Sequence, residues 1–237
     1  MDRIDPSTSL GELVVERPSA APLLERLQLD YCCGGGRTLE EASAQRGLDA
    51  PTVIALIESF DEDASGRGPE PHDLRRASIG ELCDHIVAAH HAETRRALPR
   101  IGELAATVVR VHGGGHPEFS DMARIFSGLR ADLEEHMELE EERLFPACRA
   151  AAGDGEPPAL DDELLGMLED QHELTGEALS ALRELCGGYE PSGVLCSTHR
   201  VLLEALHQLE LDTHQHVHEE NNVLFPRVRE LLTSTSA

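Results

Sequence analysis

The sequence predicts an all-α protein, an antiparallel four-helix bundle preceded by a small helical domain. Three observations carry that prediction. No segment alternates apolar and polar residues over the length of a strand. Four long stretches, separated by turns rich in Gly and Pro, place apolar residues at helical spacing. One pattern also occurs twice in register: His136, Glu140 and Leu144-Phe145-Pro146, then His216, Glu220 and Leu224-Phe225-Pro226.

The small domain is expected over residues 1–62. Leu23, Leu24 and Leu27 lie at helical spacing between Ser19 and Leu29, after Pro18. A glycine-rich turn, Gly34-Gly35-Gly36, follows the adjacent pair Cys32-Cys33. Thr38-Leu39-Glu40-Glu41 reads as a capping box, with a hydroxyl followed three residues later by a carboxylate, and opens a helix to about Arg46. Another helix is expected from Ala50 to Phe60. A unit of this size is marginal alone, so docking on the rest of the chain or on a second subunit is expected, and a homodimer is compatible with it. Residues 61–72 have linker composition.

The bundle is expected over residues 75–237. Its first helix runs from Ile79 to about Val111, with Pro99 as a place where it could bend. The glycine turn at 113–115 separates it from the second, Phe119 to Cys148, where Pro146 could end or bend the helix. A loop over 153–158 precedes the third, Asp161 to Leu185. Gly187-Gly188 and Pro191 break the chain before the fourth, Val194 to Leu232. Short connections between four such helices imply antiparallel neighbours.

Composition narrows the function. The chain has 45 acidic and 20 basic residues among 237, for a formal net charge of -25. That balance argues against nucleic acid and against anionic membrane surfaces. No secretory leader and no apolar run of spanning length is evident, so the cytoplasm is the expected compartment. The six cysteines, at 32, 33, 83, 148, 186 and 196, form no CxxC and fit reduced thiols better than a disulfide framework. Aromatic residues are scarce, so Leu, Ala, Val and Ile must fill the core.

The repeated pattern points to a metal. Residues i and i+4 share a helix face, so each copy aims an imidazole and a carboxylate at one point. The third helix offers His172, flanked by Leu168 and Leu179 on the face expected to be buried. On the first helix, His90 stands one turn beyond Ile86; His91, which shares a face with Val87, stays open as the alternative. The expected set is His90, His136, Glu140, His172, His216 and Glu220. Six protein ligands exceed one tetrahedral zinc and suit two irons, while the absence of thiolate argues against a soft-metal site. The ferritin-like pattern of Glu-x-x-His occurs at Glu169–His172 but not at His136 or His216. His214 and His218 are expected at the surface, and the cysteines other than Cys32 and Cys33 are expected to be core or incidental.

These residues give the chain a resemblance that covers almost its whole length. Leu29-Asp30-Tyr31-Cys32-Cys33-Gly34-Gly35-Gly36, then Asp84–His90, His136–Pro146, Glu169–Glu173 and Glu219–Pro226, resemble the di-iron repair-of-iron-centres family, whose C-terminal part is hemerythrin-like. The resemblance implies a hemerythrin-like bundle with two irons per subunit, bridged by carboxylates and an oxo or hydroxo group. It places the iron ligands on the six residues above and the functional cysteines at Cys32 and Cys33. Positions where the family often carries Glu are here Gln171 and Asp132. The implied function is restoration of iron–sulfur clusters damaged by nitric oxide or oxidative stress, by iron donation. Nitric oxide reduction at the metal pair, and sensing of nitric oxide or oxygen, are the rival readings. The implied partners are damaged iron–sulfur proteins, an electron donor, and nitric oxide or oxygen as small ligands. Side chains of adjacent residues on an extended backbone point opposite ways, so joint binding of one metal by Cys32 and Cys33 is expected to be awkward.

Overall fold

A computed structural model of the chain describes residues 3–64, 74–151 and 162–235. The regular elements among the described residues are helices, and the single isolated β-bridge among them pairs Ser9 with Thr38. Most of the predicted linker (65–72) and the predicted loop at 153–158 lie outside the described residues. The chain forms two compact units. One combines the N-terminal segment up to Leu82 with the chain from Val217 onward; the other runs from Cys83 to His216.

The first unit contains α1 (Leu10–Glu16), α2 (Ala21–Leu27), α3 (Leu39–Gln45) and α4 (Ala50–Ala64). The expected capping box opens α3: Glu41 N–H donates to Thr38 Oγ1 at 3.2 Å, and Thr38 N–H donates to Glu41 Oε2 at 3.2 Å. The same device opens α1, where Ser9 Oγ accepts from Glu12 N–H and the Glu12 side chain reaches back. Such a cap contributes about 1 kcal/mol. Leu10, Leu13, Leu24, Leu39, Val53 and Ile57 form the core of this unit. Two boundaries shift from expectation. A 3-10 turn at Pro18–Ala20 precedes α2, and α4 continues through Ala64 into the acidic stretch.

The four-helix core lies in the second unit, while its first helix begins before Cys83 and its fourth continues past His216. The first helix is α5 (Ile79–Ile86) and α6 (Ala92–His112), joined by a π-helical turn at Val87–His91. The second is α7 (Glu118–Leu139) and α8 (Phe145–Ala151), joined by a π-turn at Glu140–Leu144. The third is α9 (Asp162–Leu185). The fourth is α10 (Ser197–Glu219), which continues through a π-turn at Glu220–Leu224 into α11 (Phe225–Thr235). Each of the four contributes to one apolar core, through Leu98 and Ile101, Phe126 and Leu133, Leu179 and Leu182, and Leu202 and Leu206.

Pro99 is exposed and leaves α6 unbroken. Pro146 and Pro226 also leave their helices running, but each stands two residues after the end of a π-turn. A helical proline lacks an N–H and its ring meets the carbonyl four residues back. Widening that turn from i+4 to i+5 spacing relieves the clash, which explains why Leu-Phe-Pro and the π-turn recur together.

Candidate metal centre

The π-turns decide which side chains meet. A π-turn carries one residue more than an α-turn, so i+5 takes the place that i+4 would hold. On the first helix the fully buried Ile86 is therefore followed on its own face by His91 rather than His90. His91 is 0% exposed, and its Nε2 lies 3.3 Å from Glu140 Oε2 and 3.3 Å from His216 Nε2. His90 turns elsewhere. Its Nδ1 lies 3.0 Å from Asp212 Oδ1, and its ring meets that of His85 edge to face at 5.8 Å. The sequence expectation of His90 in the central group is corrected on this point. The extra residue of the turn is the physical cause, and α-helical periodicity had no means of including it.

The other expected bundle residues come together. His136 Nε2 lies 3.3 Å from Glu140 Oε2 and 3.0 Å from His172 Nε2. His216 Nε2 lies 4.0 Å from the same Glu140 oxygen. Two groups result, His91, Glu140 and His216 on one side, and His136, Glu140 and His172 on the other; within each, the potential ligand atoms lie within 4.8 Å of one another. Glu140 belongs to both. Glu220, also 0% exposed, follows His216 by four residues on the same helix, which turns its carboxylate to the side of that imidazole.

The polar chemistry of this pocket suits a cation. Glu140 is 0% exposed, and neither of its oxygens accepts a hydrogen bond from the described residues. Burying a carboxylate this way is costly unless positive charge compensates it. The outer nitrogens of two rings are anchored: His91 Nδ1 to Glu141 Oε1 at 2.7 Å, and His136 Nδ1 to Gln171 Oε1 at 2.7 Å. An Nδ1–H donated outward leaves the neutral ring with its Nε2 lone pair facing inward, the tautomer that a metal requires. Inward lone pairs around a buried carboxylate repel one another, and a bound cation resolves that conflict.

Gln171, at a position where a carboxylate was expected from resemblance, thus orients His136, while Asp132 is exposed to solvent. Sequence reasoning passed over Glu141; its signal was a third consecutive acid in Glu140-Glu141-Glu142, easily taken for solvated surface.

The cysteine segment lies in the first unit. Cys32 to Gly36 is bent rather than extended, and the Cys32 and Cys33 sulfurs lie 4.0 Å apart. The expectation that they diverge is corrected, because the glycine turn curls the backbone. Asp30 Oδ1 accepts from Cys32 N–H at 3.1 Å and from Cys32 Sγ at 3.3 Å. The hydrogen bond with Cys33 and burial push the Cys32 thiol well above its usual range. Asn222 Nδ2 donates to the carbonyl oxygens of Tyr31 and Cys32 at 3.2 and 3.3 Å, so the end of the repeated helical motif braces the cysteine turn. Gly11 and Gly35 make room for that asparagine: a Cβ on either would lie 2.2 or 2.6 Å from Asn222 Oδ1.

His218, expected at the surface, is buried against Tyr31, ring centroids 5.3 Å apart. Burial pushes it down to about 4, so at neutral pH it is an uncharged packing partner. His214 is partly covered and lies 3.9 Å from Glu210, which also pairs with Arg183.

Comparison with known proteins matches residues 83–228 to the hemerythrin HHE cation-binding domain, and residues 6–61 to ScdA_N, a domain of unknown function. The iron–sulfur cluster repair protein YtfE of Enterobacter sp. (strain 638) is 32% identical over 218 residues, 92% of this chain and 94% of that protein. YtfE of Edwardsiella ictaluri (strain 93-146) is 34% identical, over 92% and 95% of the two chains. That of Escherichia coli O157:H7 is 32% identical, over 92% and 94%. The chain belongs to the YtfE family of iron–sulfur cluster repair proteins. Its buried His and Glu groups sit in the family's cation-binding domain, and its paired cysteines sit in the family's N-terminal domain. Among the described residues no helix is long and apolar enough to cross a membrane.

Proposed function

We propose that this protein restores iron–sulfur clusters damaged by nitric oxide or oxidative stress, and that it does so by donating iron held in its bundle. His91 and His216 would hold one iron and His136 and His172 the other, with Glu140 shared between the two; Glu220, four residues after His216 in the repeated pattern, is the second carboxylate proposed. Carrying this reading is the buried Glu140 carboxylate, approached to 3.3 Å by Nε2 of both His91 and His136. Nitrogen and carboxylate donors without thiolate suit iron, and when bound the pair would supply exchangeable iron and one-electron redox chemistry.

The chain's own groups divide the work. Glu141 and Gln171 hold the imidazoles with lone pairs inward. The carboxylates supply negative charge that strengthens binding of ferric more than ferrous iron, so reduction favours release. Cys33 is half-buried and is the more available thiol, while Cys32 is buried and hydrogen-bonded to it. Two sulfurs on one side of the turn offer soft donors to departing iron, and this supports a relay role for the pair. The partners proposed are a damaged iron–sulfur protein and an electron donor. The names of the relatives and the two matching domains support the same reading.

The test mixes anaerobic, iron-loaded protein with an iron–sulfur enzyme previously exposed to nitric oxide. Recovery of the enzyme, iron lost from this protein and nitrous oxide are followed together. The expected result is recovery with matching iron loss. Sustained nitrous oxide formation without iron loss would make nitric oxide reduction the correct reading.

A further inference from the structure

Two buried thiols on adjacent bundle helices take no part in the groups described above. Cys83 on α5 and Cys148 on α8 are each 0% exposed, and their neighbours Asp84 and Arg149 pair across the two helices. The register of the two helices places these cysteines at one level. His91 Nε2 lies 3.3 Å from Glu140 Oε2; Cys83 precedes His91 by eight residues, and Cys148 follows Glu140 by eight. Each of those segments contains one five-residue π-turn, so the antiparallel helices stay in step. At the next residue on each helix, Arg149 Nη2 donates to Asp84 Oδ1 at 2.6 Å and ties the same level together at the surface.

We propose that Cys83 and Cys148 are a redox modification site, a cross-helix dithiol that a peroxide converts to a disulfide. One sulfur attacks the peroxide, the O–O bond breaks, and a sulfenic acid and one water form. The second sulfur then attacks the sulfenic sulfur, the S–O bond breaks, and a second water leaves with the remaining proton. Two thiols lose two electrons and two protons, and the peroxide takes up both. Thiols held at one level of two paired helices can close to the S–S bond length of about 2.0 Å without unwinding either helix.

The surroundings select the oxidant and the tempo. The hydrogen bond to Cys83 and burial push the Cys148 thiol above its usual range, so little thiolate is present. Exchange with a bulky external disulfide is disfavoured on both counts, whereas a small neutral peroxide can enter. Oxidation is slower than at the half-buried Cys33, and the pair responds to sustained rather than brief exposure. The closed bond would join the helix bearing His91 to the helix bearing Glu140, about 12 Å along the axis from both. It would fix the spacing of the two helices that bring those residues together.

The test uses the full-length, iron-loaded protein. After exposure to hydrogen peroxide it is unfolded in an alkylating agent, digested and analysed by mass spectrometry. The expected product is a linked peptide pair containing Cys83 and Cys148, lighter by two hydrogens and released by dithiothreitol. A Cys32→Ser/Cys33→Ser variant still forms the link, and Cys83→Ser does not. The oxidised wild type melts several degrees higher than the reduced one, because the link restricts the unfolded chain. Recovery of both cysteines as separately alkylated or over-oxidised residues would overturn the proposal, as would a link from Cys148 to any other cysteine. Should the serine variant fail to fold, the peptide map of the wild type alone decides.

Discussion

Nδ1 of His91 lies 2.7 Å from Oε1 of Glu141, the residue next to the shared carboxylate Glu140. Partial burial works against ionisation of Glu141, but hydrogen bonds from Arg95 and His91 outweigh it and hold the carboxyl below its usual range. Arg95 Nη1 reaches the same oxygen at 2.6 Å. Glu141 is thus a charged acceptor that keeps the His91 proton on Nδ1 and its lone pair inward.

Removing that acceptor is predicted to weaken iron binding while leaving the helix intact. Glu141→Ala should lower iron affinity about 10- to 100-fold, read by competition with a chelator. Glu141→Gln keeps an acceptor oxygen and should lose less. Equal affinities for all three proteins would show that Glu141 does not orient His91.

A second prediction concerns the brace on the cysteine turn. A Cβ at Gly35 would lie 2.6 Å from the Tyr31 carbonyl oxygen, a backbone atom that cannot swing aside. Gly35→Ala should therefore destabilise the protein by ~1–3 kcal/mol in urea unfolding. At Gly36 a Cβ meets nothing within 4 Å, so Gly36→Ala should stay within about 0.5 kcal/mol of wild type. A neutral Gly35→Ala would remove the close approach of Asn222 from the account.

Acid stability supplies a third. Burial, with His112 and His116 nearby, holds His199 below the ordinary imidazole range, and its Nδ1 accepts from Leu195 N–H at 3.3 Å. The unfolded chain then takes up this proton more readily than the folded one. Its contribution is fully present above an unfolded pKa of about 6.5 and is lost as pH falls through the lower folded value. His199→Gln should flatten the acid limb of a melting-temperature profile below about pH 6.5. An unchanged limb would assign that limb to other groups.

A fourth separates the vicinal thiols. Cys32 is buried and its thiol is raised by its bond with Cys33 and by burial, while Cys33 is half-buried. In native protein, iodoacetamide should modify Cys33 well before Cys32, as peptide mapping over time would reveal. The reverse order would contradict the described turn.

The parts legible in the sequence were those that follow α-helical periodicity or local chemistry. Thr38 and Glu41 announced their cap, and the duplicated His, Glu and Leu-Phe-Pro pattern located the second and fourth helices with Glu140 and Glu220. His91 was not legible, because the π-turn at Val87–His91 has no proline behind it and no composition that marks it. The burial of His218 was hidden for a different reason. It depends on Tyr31, far away in sequence, and helical spacing reports which residues share a face without reporting what covers that face. The thiols of Cys83 and Cys148 looked incidental for the same reason, since only the antiparallel register of two helices brings them together.

Iron stoichiometry in two neighbouring variants tests the central claim most directly. Wild type, His90→Ala and His91→Ala would be loaded anaerobically with ferrous iron, desalted and assayed for iron per folded chain. The account predicts about two irons in wild type and in His90→Ala, and about one or fewer in His91→Ala. Loss of iron from His90→Ala with full retention in His91→Ala would contradict the π-turn register and the metal group built on it.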